Sequence, residues 1–337
     1  MNFPKTTNPI YTEFFSKSNL EADVEKTIWR GRPSKNSFCF ISPEVKYKEQ
    51  KDLVLNKLRK VFDIKSDSFK EKFEMAISGD GQEVKRISTL HSSSLAALLL
   101  LYSVSEDNKL KCTLDGKAYT FYDSFFEVKT NVIDSHPSNM DVVLVGKNPE
   151  GKDVIFFLES KFSEYLNSGM CNNISIAYRN IYKELGLTKE DKLIPGILFE
   201  IGKGKENEDC LQIKSTDSRT PHYCSGIKQM ISHYIGVSNF INKGKDAMDA
   251  NQIPKMKTIV DLRDSADIIL GEVLFAFDDK VDKGKTKFHS YSSIYSDLAK
   301  VLNKKSSKLF VLPKVLTYQD LLKDFKIDSK VKDFYQL

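Results

Sequence analysis

The stretch MDVVLVGKNPEGKDVIFFLESKF, residues 140–162, decides the fold. It holds two apolar runs, 142–145 and 154–158, on either side of the polar turn Asn148-Pro149-Glu150-Gly151. Short apolar runs bounded by turn residues read as buried strands, and the turn joins them as a hairpin. Charges sit at odd places in this pattern, because Asp141 opens the first strand while Glu159 and Lys161 close the second. A charge at a buried strand position is costly unless it is paired or holds a cation. With the hairpin centred on Glu150, facing residues have numbers that sum to 300, as 141 and 159 do. Asp141 then stands opposite Glu159 with Cβ atoms about 5 Å apart. Lys161, two residues on, points to the same face.

One hairpin earlier the same test applies. Ser124–Val132 (SFFEVKTNV) reads as a strand, and a turn centred on Asp134 pairs positions that sum to 268, as 127 and 141 do. Glu127 is therefore expected on the other side of Asp141. The bare pattern Glu-x-Lys carries no weight, since it begins at Glu44, Glu49, Glu83, Glu127, Glu150, Glu159 and Glu190. Only Glu127 and Glu159 end or interrupt an apolar strand, so Glu127-Val128-Lys129 with Asp115 is the alternative unit. Like charges crowded at half-buried positions need compensation. A hard divalent cation, Mg²⁺ or Mn²⁺, meets that need with carboxylate ligands and retained water. Such an ion beside a lysine suits phosphodiester hydrolysis. The plainer reading is a structural ion pair at a sheet end.

Outward from this unit, Ser42-Pro43-Glu44 reads as the start of a helix that buries Leu55, Leu58 and Phe62. A second helix carries Phe69, Phe73 and Ala76 and stops near Gly79. His91-Ser92-Ser93-Ser94 offers cap hydroxyls to LAALLLLY, a helix apolar all round and hence buried. Leu110–Leu114 and Lys117–Tyr122 flank Asp115-Gly116, a hairpin turn. Residues 163–192 look helical, 194–201 a strand and 203–219 a polar loop. A helix over 226–240, a strand over 268–277, a basic loop at 280–287, a helix near 291–302, a strand over 309–316 and a helix capped at Thr317 complete the chain. Helices and strands intermix without regular alternation, which predicts an α/β (α+β) fold with a mixed central sheet flanked by helices.

At 337 residues, 40% hydrophobic and 29% charged, the chain can bury a sizeable core and is not of disordered composition. A net charge of +5 permits a nucleic-acid partner without requiring one. Cys39, Cys112, Cys171, Cys210 and Cys224 form no CxxC pair, which suits reduced thiols in a cytoplasm. The longest apolar run, Leu95–Tyr102, is far short of the roughly 20 residues that span a bilayer, so no membrane partner is expected. Cys210, His222, Cys224 and His233 match no common zinc spacing. Lys228 and Gln229 on their helix, and Lys283, Lys285 and Lys287 in the basic loop, are candidates for phosphate contacts; solvated polar faces explain them as well.

An Asp opening one strand, a short turn, and Glu-x-Lys closing the next resemble the PD-(D/E)XK nuclease superfamily, the restriction-endonuclease-like proteins. The resemblance implies a core of helix, three strands, helix and strand. The matching segments are LAALLLLY, SFFEVKTNV, MDVVLVG, DVIFFLESKF, GIKQMISHYIGVSNF and IILGEVLFAF. It implies a core over 85–280 with an insertion at about 163–219, flanked by an N-terminal helical extension over 1–84 and a C-terminal helix-strand-helix extension over 281–337 packed on the core. It further implies metal binding by Asp141 and Glu159, a catalytic role for Lys161, and an added acid at Glu127. Met140 stands where the family often has proline, and the stretch between Lys161 and Gly226 is unusually long. The expected function is a metal-dependent nuclease acting on DNA, with room for a homodimer; the alternative is a nuclease-like fold that grips nucleic acid or protein without cutting.

Overall fold

The structure, a computed structural model, describes all residues except 4, 30–31, 42–49, 79–82, 134–135, 167–172, 188–196, 204–208 and 216–223. A hairpin of β1 (Glu25–Trp29) and β2 (Arg32–Cys39) precedes α1 (Lys51–Phe62), α2 (Ser68–Ala76), α3 (Glu83–Ile87) and α4 (Ser93–Leu101). A meander follows: β3 (Leu110–Leu114), β4 (Lys117–Ile133), β5 (His136–Lys147) and β6 (Asp153–Lys161). Then come β7 (Asn173–Ser175), α5 (Arg179–Glu184), β8 (Ile197–Lys203) and β9 (Asp209–Ser215). The chain continues through α6 (Cys224–Lys243), α7 (Lys257–Leu262), β10 (Asp267–Leu274) and α8 (Thr286–Asn303). It closes with β11 (Leu309–Val311), β12 (Leu316–Thr317), α9 (Tyr318–Leu321) and α10 (Ser329–Tyr335).

The central sheet is mixed and seven-stranded, in the order β11-β10-β6-β5-β4-β3, with β12 also on β10. β3 to β6 run antiparallel to their neighbours, whereas β10 lies parallel to β6, and β11 and β12 parallel to β10. Turn chemistry fixes the meander. Asp115 and Gly116 both have positive φ, 48° and 79°, the geometry that matches the twist of a two-residue hairpin. The 148–151 turn closes by Gly151 donating to the Asn148 carbonyl, with Asn148 Oδ1 accepting from Glu150 and Lys152.

The middle of the sheet, β6 and β10, is buried on both faces. Ser160 points toward α4, its hydroxyl donating to the Ser93 carbonyl, while Glu159 and Lys161 point toward α6. α4 is capped as its sequence predicts, Ser92 accepting from Leu95 N–H, and Leu95 through Leu101 are buried all round. On the opposite face α6 lies close to β4, because Gly236 leaves room for Thr130, whose hydroxyl would stand 2.3 Å from any added Cβ. α1 buries Leu55, Leu58 and Phe62, and α2 buries Phe69, Phe73 and Ala76, as their spacing predicts. The cap at Ser42-Pro43-Glu44 and the stop at Gly79 lie outside the described residues.

Several expectations are corrected. Lys117–Tyr122 and Ser124–Val132 form one 17-residue strand whose register shifts between Phe121 and Asp123. A bulge absorbs the irregularity that read as a break. The helix expected over 163–192 is, among the described residues, a short 3₁₀ turn at Glu164–Leu166, the strand β7, and then Ile176–Tyr178 and α5. The polar stretch 203–219 holds β9, which pairs with β7 and β8 in a separate three-stranded sheet. Alternation is hard to see in a strand as polar as DCLQIKS, which gains its pairing from neighbours rather than from its own composition. α8 begins at Thr286, inside the basic segment. The strand expected over 309–316 is two short ones, β11 and β12.

Phe162 follows directly on Lys161 and is fully buried. Its ring packs against Phe14 from the N-terminal segment, Phe275 and Phe277 after β10, and Tyr335 from α10, at 5.0–6.0 Å between centroids. The two ends of the chain are thus clamped onto the strand end that carries Lys161. Phe162→Ala is expected to lower the unfolding free energy by about 3–5 kcal/mol in denaturant titration, and a loss below about 1 kcal/mol would contradict this account.

Candidate functional site

The registers gather the charges. Phe126 pairs with Val142 and Val128 with Met140, so Glu127 lies beside Asp141. Val142 pairs with Leu158, and one step further along that ladder Asp141 reaches Glu159. Both match the alignments expected from the turn centres. The parallel ladder adds a residue the sequence did not reveal, because Glu159 pairs with Glu272 of β10. Residues opposite one another in a sheet share a face. Four carboxylates, from Glu127, Asp141, Glu159 and Glu272, therefore cross four adjacent strands in one row. A signal for Glu272 existed in the lone charge within IILGEVLF, yet no turn fixes the register of strands so far apart in sequence.

Each member is held by the chain. Glu127 has φ +50°, a left-handed conformation that is strained for a residue with a Cβ. Gln252 fills the gap in the ladder there, its Nε2 donating to the Glu127 carbonyl at 2.7 Å and its Oε1 accepting from Lys129 N–H at 2.8 Å. Asp141 Oδ2 accepts from the Ser160 backbone N–H at 2.8 Å. Lys161 Nζ donates to Glu159 Oε1 and, at 2.8 Å, to Gln229 Oε1 on α6. One helical turn on, His233 Nε2 stands 2.8 Å from Glu159 Oε2, and its Nδ1 lies 2.5 Å from the Ser138 hydroxyl. The imidazole thus lies between the Glu159 carboxylate and the Ser138 hydroxyl.

Burial sets the electrostatics. Glu127, Glu159 and Lys161 are only 5%, 3% and 4% exposed, and Glu272 is fully buried. Burial pushes the Glu127 carboxyl up to about 8, with Glu83 and Glu159 adding repulsion. Burial, then Glu159 and Glu127, drive Asp141 well above the carboxylate range despite Lys161 and the Ser160 N–H. Burial raises Glu272 to about 7, although Lys161 and the Tyr291 hydroxyl pull the other way. Glu159 behaves oppositely: burial pushes it up, but Lys161 and His233 outweigh that and bring it to about 2. Burial alone would lower the Lys161 ammonium, but Glu159, Glu272, Glu164 and Asp141 raise it above its ordinary value. Without a cation the row holds one firmly ionised carboxylate, Glu159, two that favour the proton, Glu127 and Asp141, and Glu272 poised near 7.

The remaining candidates fall elsewhere. Gln229 belongs to the site through Lys161, whereas Lys228 beside it is half-buried on α6. Lys283 and Lys285 are exposed before α8, and the Lys287 ammonium donates to the Leu166 carbonyl, just past the turn that follows Lys161. Glu164 accepts from the Phe162 and Ser163 N–H groups at 2.8 and 2.9 Å and so closes that turn. Of the zinc-like set, Cys210 is in β9, His233 serves Glu159, and His222 lies outside the described residues. Among the described residues no three His, Cys, Asp or Glu side chains already converge as a cation cage. No helix among them is long and apolar enough to cross a membrane. No family model, curated protein or solved structure matches the chain.

Glu127 and Glu272 hold protons in the folded state up to about 8 and 7, whereas in the unfolded chain they release them near 4.5. Between those values the folded state binds more protons, so stability falls as pH rises, by about 1.4 kcal/mol per pH unit for each proton held. Metal-free protein is therefore expected to melt lower at pH 8 than at pH 5.5, and Glu127→Gln to flatten the slope. A melting temperature that rises across this range, with Glu127→Gln unchanged from wild type, would refute the assignment.

Proposed function

We propose that this chain is a metal-dependent nuclease that hydrolyses phosphodiester bonds, with DNA as its first substrate. The observation that carries this reading is the aligned row of Glu127, Asp141 and Glu159 with Lys161 on the same sheet face. The order of elements supports it: helix α4, strands β4, β5 and β6, helix α6 and the parallel strand β10 follow the restriction-endonuclease-like sequence of elements. The donor set fits a hard divalent cation, because three buried carboxylates and the half-buried Asp141 outnumber the cation Lys161, and among the described residues Glu272 Oε1 has no hydrogen-bond partner.

In this reading Asp141 and Glu159 would hold Mg²⁺ or Mn²⁺, with Glu127 beside them. The ion would supply charge neutralisation at the phosphate and a more acidic attacking water. Water adds to phosphorus, the P–O bond to the leaving sugar oxygen breaks, and that oxygen takes up a proton. Lys161 stays charged at neutral pH, since its acidic neighbours raise its proton affinity, and it orients the water or neutralises charge that grows on the phosphate. Gln229 fixes the ammonium from one side. His233 orients Glu159 as histidines and carboxylates orient each other around metal sites. Ser138 in turn holds the other imidazole nitrogen and with it the ring orientation.

The pairing of both Glu159 oxygens within the protein favours a second reading, a nuclease-like fold that binds nucleic acid or protein without cutting. Plasmid nicking separates the two. The full chain with Mg²⁺ or Mn²⁺ is expected to relax supercoiled DNA, EDTA to stop it, and Lys161→Ala and Asp141→Asn to slow it by about 10²-fold or more while remaining folded. Lys161→Ala that retained most of a genuine activity would displace Lys161 from the mechanism, and a salt-dependent gel shift without cutting would establish the second reading.

The proton-rich row makes metal uptake depend on pH. A cation held by Asp141, with Glu127 beside it, displaces their protons, so Mn²⁺ affinity is expected to rise as pH increases from 6 to 8. Calorimetry in buffers of different ionisation enthalpy should register net proton release of roughly one per ion bound. Affinity that is flat over this range, with no proton release, would remove Asp141 and Glu127 from the metal site.

A further inference from the structure

Glu159 has no free oxygen: one is taken by Lys161 and the other faces His233. Any cation that claims Glu159 must share it, and the Lys161 ammonium is the group it repels. We propose that Glu272 is a positioning residue that receives the Lys161 ammonium when a divalent cation occupies Asp141 and Glu159, so that Lys161 exchanges one carboxylate for its neighbour. The proposal rests on the metal-site reading above.

Three observations support it. Glu272 pairs in register with Glu159, so its side chain leaves the same sheet face one strand away, and it lies within electrostatic reach of Lys161. It is fully buried, with no salt bridge among the described residues, and Tyr291 donates to only one of its oxygens, Oε2, at 2.6 Å. The other, Oε1, has no hydrogen-bond partner among the described residues. A buried carboxylate oxygen left unpartnered costs stability and calls for an explanation.

The surroundings are shaped for the Glu272–Tyr291 pair. Gly226, in the first turn of α6, lies so close to Tyr291 that an added Cβ would stand 2.3 Å from its hydroxyl. Tyr291 thus anchors Oε2 and leaves Oε1 to accept an N–H. Gln229 keeps its bond to Lys161 and limits how far the ammonium moves. Lys161 would then remain charged and in place beside a substrate phosphate, while Glu159 is released to the cation.

A double-mutant cycle on Mn²⁺ affinity, measured by isothermal titration calorimetry with the full chain, tests the exchange without reading activity. Glu272→Gln is expected to weaken Mn²⁺ binding roughly tenfold, because the displaced ammonium then lacks a counter-ion. In the Lys161→Ala background, which has no ammonium to displace, the same substitution is expected to change affinity by less than about twofold. Tyr291→Phe, which keeps the Glu272 charge, is expected to bind at least as tightly as wild type. Should Glu272→Gln not fold, Glu272→Leu repeats the measurement. An equal loss in the Lys161→Ala background would make Glu272 act on the ion itself and overturn the proposal. So would no loss in either background, or a loss in Tyr291→Phe as large as in Glu272→Gln. Wild-type protein that binds no Mn²⁺ would overturn the metal-site reading as well, and shows itself before any substitution is made.

Discussion

The pairing of Glu159 in the middle of a sheet buried on both faces is the interaction on which the rest of the structure turns. An isolated carboxylate at that depth would be protonated, as Glu127 and Asp141 tend to be. Glu159 is ionised because Lys161 and His233 meet its two oxygens. That requirement fixes α6 over the sheet, since both His233 and the Gln229 that steadies Lys161 come from one face of this helix. It also fixes the packing beyond the strand, where Phe162 turns away into an aromatic cluster drawn from both ends of the chain.

How much of this was legible depended on how each neighbour is specified. β4, β5 and β6 are joined by short turns, so a turn centre sets a register and the register aligns Glu127, Asp141 and Glu159. Asn148 shows why that inference held, because its side chain ties down the 148–151 turn and leaves little freedom for slippage. Glu272 was not legible, although its strand was. β10 lies parallel to β6 across a long crossover, and nothing local to either segment states which residues meet. His233 and Ser138 were hidden for a related reason: they join Glu159 only once helix and strand are packed. Gln252 acts through a kink in β4 that no residue pattern announces, since a glutamate is not a residue expected at positive φ.

The small three-stranded sheet shows the opposite limit. Residues 203–219 read as a loop because their polar composition masks a strand that forms by pairing on both sides with β7 and β8. Propensity describes how a segment fits a half-buried pleated surface, so it misleads where the partners supply most of the stabilisation. In the central sheet composition and context agree; in the three-stranded sheet only context decides.

The site carries more acid than its own cations can neutralise, and the arrangement of that excess is informative. A structural ion pair would need Glu159 and Lys161 alone. Glu127 is instead kept in a strained backbone conformation by a dedicated glutamine, Asp141 accepts a backbone N–H while its charge is suppressed by its neighbours, and Glu272 is buried with one oxygen unsatisfied. Each of these features costs stability, and apolar residues of similar size at Asp141 and Glu272 would remove two of these costs without disturbing the Glu159 pair. Strain and unsatisfied groups concentrated along one row of a sheet mark a place where the fold gives up stability for a charge distribution. A divalent cation is the simplest species that would turn this excess of acid into a stabilising arrangement.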